Sequence, residues 1–162
     1  MKETSTQSNT KNSAPVEPGF PFGRFDHAFD AKKRLTVPAA WRELLGYPQY
    51  LYVIRNPMEM CLTILAPSEM RSLMEKRKSS SLFDPKTSAA WRYIGENSEM
   101  VSVDSNGRIR ISDRLMNSAT LKDKVVFIGM GGKMEIWPAE LKPAAPEIDG
   151  NALLDAFVTI GL

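Results

Sequence analysis

Cysteine and histidine are almost missing from this chain: Cys61 and His27 are the only residues of their kinds among 162. A single cysteine excludes an intramolecular disulfide and fits a reducing compartment. One cysteine and one histidine cannot supply the ligand spacing of a structural or catalytic metal site. His27 lies in a strand-like stretch with no serine or cysteine nucleophile pattern around it, so it reads as a structural or surface histidine. Cys61 sits in an apolar hairpin strand and reads as packing. Nothing therefore points to an enzyme, a metal or a cofactor. Long apolar runs are also lacking. None reaches the roughly 18 to 20 residues that a membrane helix needs, and residues 1–18 have no apolar core of the kind a secretory signal requires. The expectation is a cytoplasmic protein with no membrane partner and no small-molecule substrate. Charge of one sign is scarce too. The formal net charge is +2, so any hold on a polyanion has to come from local patches.

Hydrophobic residues make up 43% of the chain, enough for a packed core. Residues 1–19 stand apart: they are rich in Ser, Thr, Asn, Lys and Pro, and bury too little to offset their ordering entropy. A disordered tail is expected there. Phe20 and Phe22 are expected to anchor it to the first sheet.

One stretch occurs twice. Asp30-Ala31-Lys32-Lys33-Arg34-Leu35-Thr36-Val37-Pro38 is matched by Asp104-Ser105-Asn106-Gly107-Arg108-Ile109-Arg110-Ile111-Ser112, 74 positions later. Each copy has an acid, three turn-forming or basic residues, an arginine, and then apolar alternation. Such self-similarity implies a duplicated structural unit. In each unit the spacing predicts a strand, a polar turn, a short second strand, a short helix and a β-hairpin. For the first unit these are strands at 24–29 and 35–37, a helix opened by Pro38 and stopped by Gly46, and hairpin strands at 50–55 and 60–65. For the second they are strands at 99–103 and 108–111, a helix over 112–119 capped by Ser112, and hairpin strands at 124–129 and 133–137. Gly129-Met130-Gly131-Gly132 lacks the following Gly-Lys-Ser/Thr of a phosphate loop and reads as the hairpin turn. Helices are expected over 67–78 and from Asp84-Pro85 onward, where an N-cap acid precedes proline. They form a linker pair broken at 79–82. Residues 142–150 are not expected to be regular, and 152–162 form a short apolar helix or strand. The organisation is thus a tail (1–19), a first repeat (20–66), a helical linker (67–96), a second repeat (97–141) and a C-terminal extension (142–162). The two halves should fold together, because each alone leaves sheet edges unpaired and too little core.

The strongest candidate site is the pair of basic turns. Lys32, Lys33 and Arg34 are consecutive, with Arg24 and Arg42 nearby; Arg108, Arg110 and Arg114 cluster in the second copy. Arginine's planar fork suits phosphates and the acceptor edge of guanine. An aspartate four residues earlier, Asp30 or Asp104, can pair with the guanidinium and hold it in one direction. Gly107 permits a positive φ in the turn. Lys33 holds the matching place in the first copy. Either that turn has another shape, or it accepts strain in return for a charge aimed at phosphate.

These residues resemble the MraZ family of bacterial transcriptional regulators, within the AbrB/SpoVT superfamily of swapped-hairpin barrels. The resemblance rests on Gly23-Arg24-Phe25-Asp26-His27-Ala28-Phe29-Asp30 with Arg34-Leu35-Thr36-Val37-Pro38-Ala39-Ala40-Trp41-Arg42, on residues 104–112, and on Met134-Glu135-Ile136-Trp137. It covers residues 22–140. It implies an α+β fold in which two tandem β-rich pseudo-repeats form one swapped-hairpin β-barrel with short peripheral helices. It implies a sequence-specific regulator on double-stranded DNA, acting at short promoter repeats of a cell-division and cell-wall gene cluster that includes its own gene. It further implies a ring-like homo-oligomer and association with the nucleoid. The family's DNA-contacting motif maps onto Asp30 and Arg34, and onto Asp104 and Arg108, with Arg42 as a further contact. Lys32, Lys33 and Arg110 join these as DNA-binding candidates. The chain departs from the family pattern at Lys33 (usually glycine), Ser112 (usually proline) and Met116 (often arginine). It also has a longer N-terminal tail, and a Pro-rich C-terminal segment where helix is expected. Two other readings stay open. One is an AbrB-like antitoxin that binds its promoter and caps a toxin with residues 143–162. The other is an interaction protein that kept the barrel and lost DNA binding.

Overall fold

A computed structural model describes residues 19–78, 84–141 and 149–161. The tail expected at 1–19, its last residue excepted, the helix break expected at 79–82 and most of the irregular stretch expected at 142–150 lie outside those residues.

The first repeat contains β1 (Phe22–Ala28), β2 (Leu35–Thr36), α1 (Ala39–Leu44), β3 (Tyr50–Arg55) and β4 (Leu62–Leu65). Two helices follow, α2 (Pro67–Lys78) and α3 (Pro85–Glu96). The second repeat contains β5 (Ser98–Ser102), β6 (Arg108–Ile109), α4 (Asp113–Ser118), β7 (Lys124–Met130) and β8 (Lys133–Pro138), and α5 (Gly150–Ile160) ends the described chain.

The strands interleave the two repeats. Six of them form one antiparallel sheet in the order β1-β7-β8-β4-β3-β5. β1 pairs with β7 of the second repeat, and β5 pairs with β3 of the first. Each repeat therefore lends its first strand to the other's hairpin, while β4 and β8 join the hairpins at the centre. The second strands leave this sheet and pair with each other as a separate ribbon, Leu35 opposite Ile109 and Thr36 opposite Arg108. This corrects the expected closed barrel. The sheet is open, with β1 and β5 as its edges. The ribbon meets the sheet through side chains rather than through a hydrogen-bonded ladder.

Alternation explains how. Leu35, Val37, Ile109 and Ile111 all point inward and are at most 1% exposed. They join Leu51, Val53, Leu62, Ile64, Phe127, Met134 and Ile136 from the sheet in one cluster. Each fully buried aliphatic side chain stabilises the fold by roughly 1.5–3 kcal/mol. The two short helices contribute Trp41 and Leu115 to the same core. Trp41 packs edge-on against Phe25 and Phe127, and its indole N–H donates to the Phe22 carbonyl at 3.1 Å. The other face of the sheet carries a smaller cluster of Cys61, Val126 and Trp137. Cys61 is fully buried, and burial pushes its thiol up to about 12, consistent with packing rather than nucleophilic chemistry. His27 stacks edge-on against Phe127, with centroids 5.6 Å apart.

Two expectations change. Phe20 and Phe22 do not anchor the start of the chain with their rings, which are exposed. The Pro21 carbonyl does so, by accepting from the Gly131 N–H at 2.9 Å. Gly129 lets this backbone approach, since a Cβ there would meet Pro21 at 2.6 Å. The C-terminal apolar stretch is a helix, and it begins at Gly150, inside the span expected to be irregular. One contact joins the two linker helices: the Arg77 guanidinium of α2 sits 5.1 Å from the Trp91 ring centroid of α3.

Candidate nucleic-acid interface

The two basic turns have the same architecture. In the first, the Asp30 carboxylate accepts from the backbone N–H groups of Lys32 (2.9 Å) and Arg34 (2.8 Å) through one oxygen. Its other oxygen accepts from the Arg34 Nε at 2.8 Å. In the second, Asp104 accepts from the Asn106 and Arg108 N–H groups, both at 2.9 Å, and from the Arg108 Nε at 2.7 Å. Main-chain bonds close both turns in the same way, from Asp30 N to Arg34 O and from Asp104 N to Arg108 O, each at 2.9 Å. The two ion pairs are equally exposed, 28% for each arginine side chain and 35% for each aspartate. One carboxylate thus builds the turn and aims the arginine. The backbone N–H of Arg34 is the main cause holding the Asp30 carboxyl below its usual range, helped by the Arg34 side chain and the Lys32 N–H. Arg108 and Asn106 do the same for Asp104.

The shape question at Lys33 is settled by φ. Lys33 has φ of 56° and Gly107 has 77°, so both turns pass through the left-handed region. Lys33 carries the strain that Gly107 avoids. Its ammonium does not point freely at solvent: it pairs with Asp113, the first residue of α4, at 3.2 Å.

The ribbon sets the arginines on a common face. Because Leu35 and Ile109 point inward, Arg34, Thr36, Arg108 and Arg110 point outward. The ribbon is antiparallel, so the two turns occupy opposite ends of it. One further step of the same register sets Arg34 opposite Arg110, which is exposed. Lys32 is exposed beside the first turn. Arg42 comes from α1 and donates its Nε to the Val37 carbonyl at 3.2 Å. Its guanidinium fills the space beside Gly107, where an added Cβ would collide with it.

The ribbon thus gathers Asp30, Lys32, Lys33, Arg34, Arg42, Asp104, Arg108 and Arg110. It does not gather Arg114, which donates to the Glu96 carbonyl at 2.9 Å, or Arg24, which pairs with Asp26 on β1 at 3.6 Å. Two contributors escape the linear motif. Thr36 was discoverable from its place in the alternation. Asp113 was not, since its partner lies 80 residues away. Among the described residues no group of three His, Cys, Asp or Glu side chains could hold a metal ion. No helix among them is long and apolar enough to cross a membrane.

Two interleaved repeats that display a matched pair of carboxylate-held arginines on one ribbon define a class of pseudo-symmetric α+β proteins. A profile of the family described as "MraZ protein, putative antitoxin-like" matches residues 96–141, the second repeat. A protein from Clostridium tetani named transcriptional regulator MraZ is 31% identical over 118 residues, which cover 73% of this chain and 81% of that one. Its namesake from Thermomicrobium roseum is 32% identical over 141 residues, 85% of this chain and 97% of the relative. Another, from Clostridium acetobutylicum, is 27% identical over 142 residues, 86% and 98% respectively. The chain belongs to the MraZ family, whose members matched here are named as transcriptional regulators.

Proposed function

We propose that the protein is a sequence-specific DNA-binding transcriptional regulator, and that the outer face of the β2–β6 ribbon is its DNA surface. The observation that carries this reading is the duplication of the carboxylate-held arginine at the two ends of one ribbon. Asp104 holds the Arg108 guanidinium at Nε, and Asp30 holds that of Arg34 at Nε and one terminal nitrogen; each keeps terminal N–H groups for a second acceptor, and pre-ordering lowers the entropy lost on binding. Such a fork fits a guanine edge, while Lys32, Arg42 and Arg110 fit phosphates. The names of the relatives support regulation of transcription. The family resemblance supports promoter repeats upstream of a cell-division and cell-wall cluster as the target, the swapped-hairpin relationship of the repeats, and a location at the nucleoid.

Its test is a gel shift with the protein's own upstream DNA at low salt, comparing wild type with Arg34→Ala plus Arg108→Ala. Wild type shifts the DNA and the double variant does not. No shift by wild type ends the regulator reading, and an equal shift by both proteins ends the site assignment. Rising salt weakens the wild-type complex steeply if phosphate contacts carry the affinity.

One observation favours the antitoxin alternative as a second reading: α5 exposes Leu153, Leu154, Phe157, Val158 and Ile160 and has no buried residue. A helix of that kind suits a protein partner.

A further inference from the structure

We infer that α5 of one copy docks in the cavity between α3 and the β3–β4 loop of the next copy, so that each chain is both donor and acceptor. The family resemblance implies a ring but names no contact surface, and the inference does not depend on the DNA-binding reading. The cavity lies on the face of the sheet turned away from the ribbon. Val53 and Ile64 point into the core that the ribbon closes, so Ile54 and Thr63 beside them point the other way, into the cavity. Ala90, Tyr93 and Ile94 of α3 form one wall, and Pro57 and Met58 of the loop form another. These walls are fixed: the Tyr93 hydroxyl donates to the Arg55 carbonyl at 3.3 Å, and the Asn56 side chain holds the loop. They are also uncovered, since α3 has no buried residue and Met58 is 87% exposed. The cavity measures about 600 Å³. A single deleted core side chain leaves a hole on the order of 150 Å³, so this one takes several apolar side chains at once.

Charge selects the occupant. Arg55 and Lys133 both line the cavity. Arg55 donates to the carbonyls of Ser118, Asn56, Glu59 and Cys61, so no carboxylate offsets its charge. Lys133 has no ion pair among the described residues. Glu59 is the one acid among the described residues that line the cavity. The cavity therefore suits an apolar body with a negative charge. α5 is such a body. Leu153, Leu154, Phe157 and Val158 form its apolar side, and no residue of it is buried. Its only charged side chain is Asp155, three residues before Val158 and so at the border of that side, and its N-cap is a second acid, Asp149. An apolar helix laid into an apolar groove, with opposite charges at the edges, is a recurrent mode of protein recognition. No residue of α5 lines the cavity of its own chain. Lys133 at the cavity opens β8, which carries the chain away to Pro138 before α5 can follow. The occupant is accordingly the α5 of a neighbour. Donor and acceptor are different surfaces, so the contact is heterologous and propagates from copy to copy.

The test is complementation between two full-length variants, read by light scattering. Ala90→Arg fills the cavity from an exposed position of its wall and keeps α5 intact. Leu154→Asp plus Val158→Asp spoils α5 and keeps the cavity intact. Each variant alone weakens self-association about thirtyfold or more, as loss of a central interface contact does, and falls to the mass of one chain. Mixed in equal amounts, the two form one intact contact and stop there, at the mass of two chains. Thermal unfolding checks that each variant keeps its fold. A cysteine pair fixes the geometry, since the buried Cys61 thiol is inert. Chains carrying Met58→Cys and chains carrying Val158→Cys, mixed and oxidised, give a disulfide-linked dimer. Four results overturn the inference: a monomeric wild type, an Ala90→Arg variant with the wild-type mass, a mixture that stays monomeric, and no cross-link between the cysteine variants. A disulfide closing within a single chain that carries both cysteines also overturns it, because α5 then fills its own cavity. Gel shifts by wild type and by the ribbon variant Arg34→Ala plus Arg108→Ala report on the DNA reading separately.

Discussion

Asp30 and Asp104 do their work as carboxylates, and that sets a pH window. Both are held below the ordinary aspartate range, chiefly by the N–H groups of Arg34 and Arg108. A group whose folded-state pKa is depressed contributes stability that is complete above its unfolded value and is lost as pH falls through the folded one. The unfolded value is about 3.9. Stability from these turns is therefore flat across neutral pH and declines only below about pH 4. Thermal unfolding followed from pH 7 to pH 3 checks this. The variant with Asp30→Asn and Asp104→Asn loses part of the acid dependence and starts from a lower melting temperature at pH 7. A double variant as acid-sensitive as wild type contradicts the account. The same residues show what a linear reading can reach. An acid and an arginine four apart predict the turn and the pair, and both exist. The fate of Lys33 was hidden, because Asp113 is remote in sequence, and the reason for Gly107 was only half visible. Its positive φ could be expected; the neighbouring guanidinium could not.

At the scale of elements, local chemistry was legible wherever the signal was local. The strand at 50–55 and the helix at 67–78 have the expected limits. Asp84 caps α3 by accepting from the Thr87 N–H at 2.7 Å, as the Asp-Pro pair predicts. Asp84→Ala should lower stability through loss of this cap, read as a lower chemical unfolding midpoint. Asp84→Ser should recover most of that, and equal loss in both variants would show that the cap is not the cause. β4 starts two residues later than expected because Asn56 and Arg55 hold the preceding loop. Asn56 accepts from the Met58 and Glu59 N–H groups at 2.9 and 3.2 Å. The Arg55 guanidinium donates to the Glu59 and Cys61 carbonyls. The barrel expected from the family resemblance failed on a non-local point. The length of β2 and β6, two residues each, lets them pair only with each other. No periodicity in either repeat reveals that the ribbon will close the core by packing instead of by continuing the sheet.

The whole molecule poses a question of number. A chain with net charge +2 offers one ribbon and few cations to a DNA duplex, so useful affinity calls for several copies acting on repeated sites. α5 carries an exposed apolar face. Leu154 and Val158, 63% and 70% exposed, lie four residues apart on one side of the helix, with Leu153 and Phe157 beside them. An exposed cluster of this kind is costly in water unless another protein surface covers it. We propose a second copy of this chain as that surface, in keeping with the ring implied by the family resemblance. Light scattering on the purified full-length protein should give a mass several times 18.1 kDa. Leu154→Asp plus Val158→Asp should lower that mass while leaving the melting temperature of the sheet nearly unchanged, because neither residue is buried in the fold. The same variant should bind a single-repeat DNA as wild type does and lose its preference for DNA carrying several repeats, since only avidity is removed. A monomeric wild type at micromolar concentration would sink the ring and turn α5 toward a different partner, the arrangement an antitoxin requires. A variant whose mass stays that of the wild type would place the assembly surface elsewhere on the molecule.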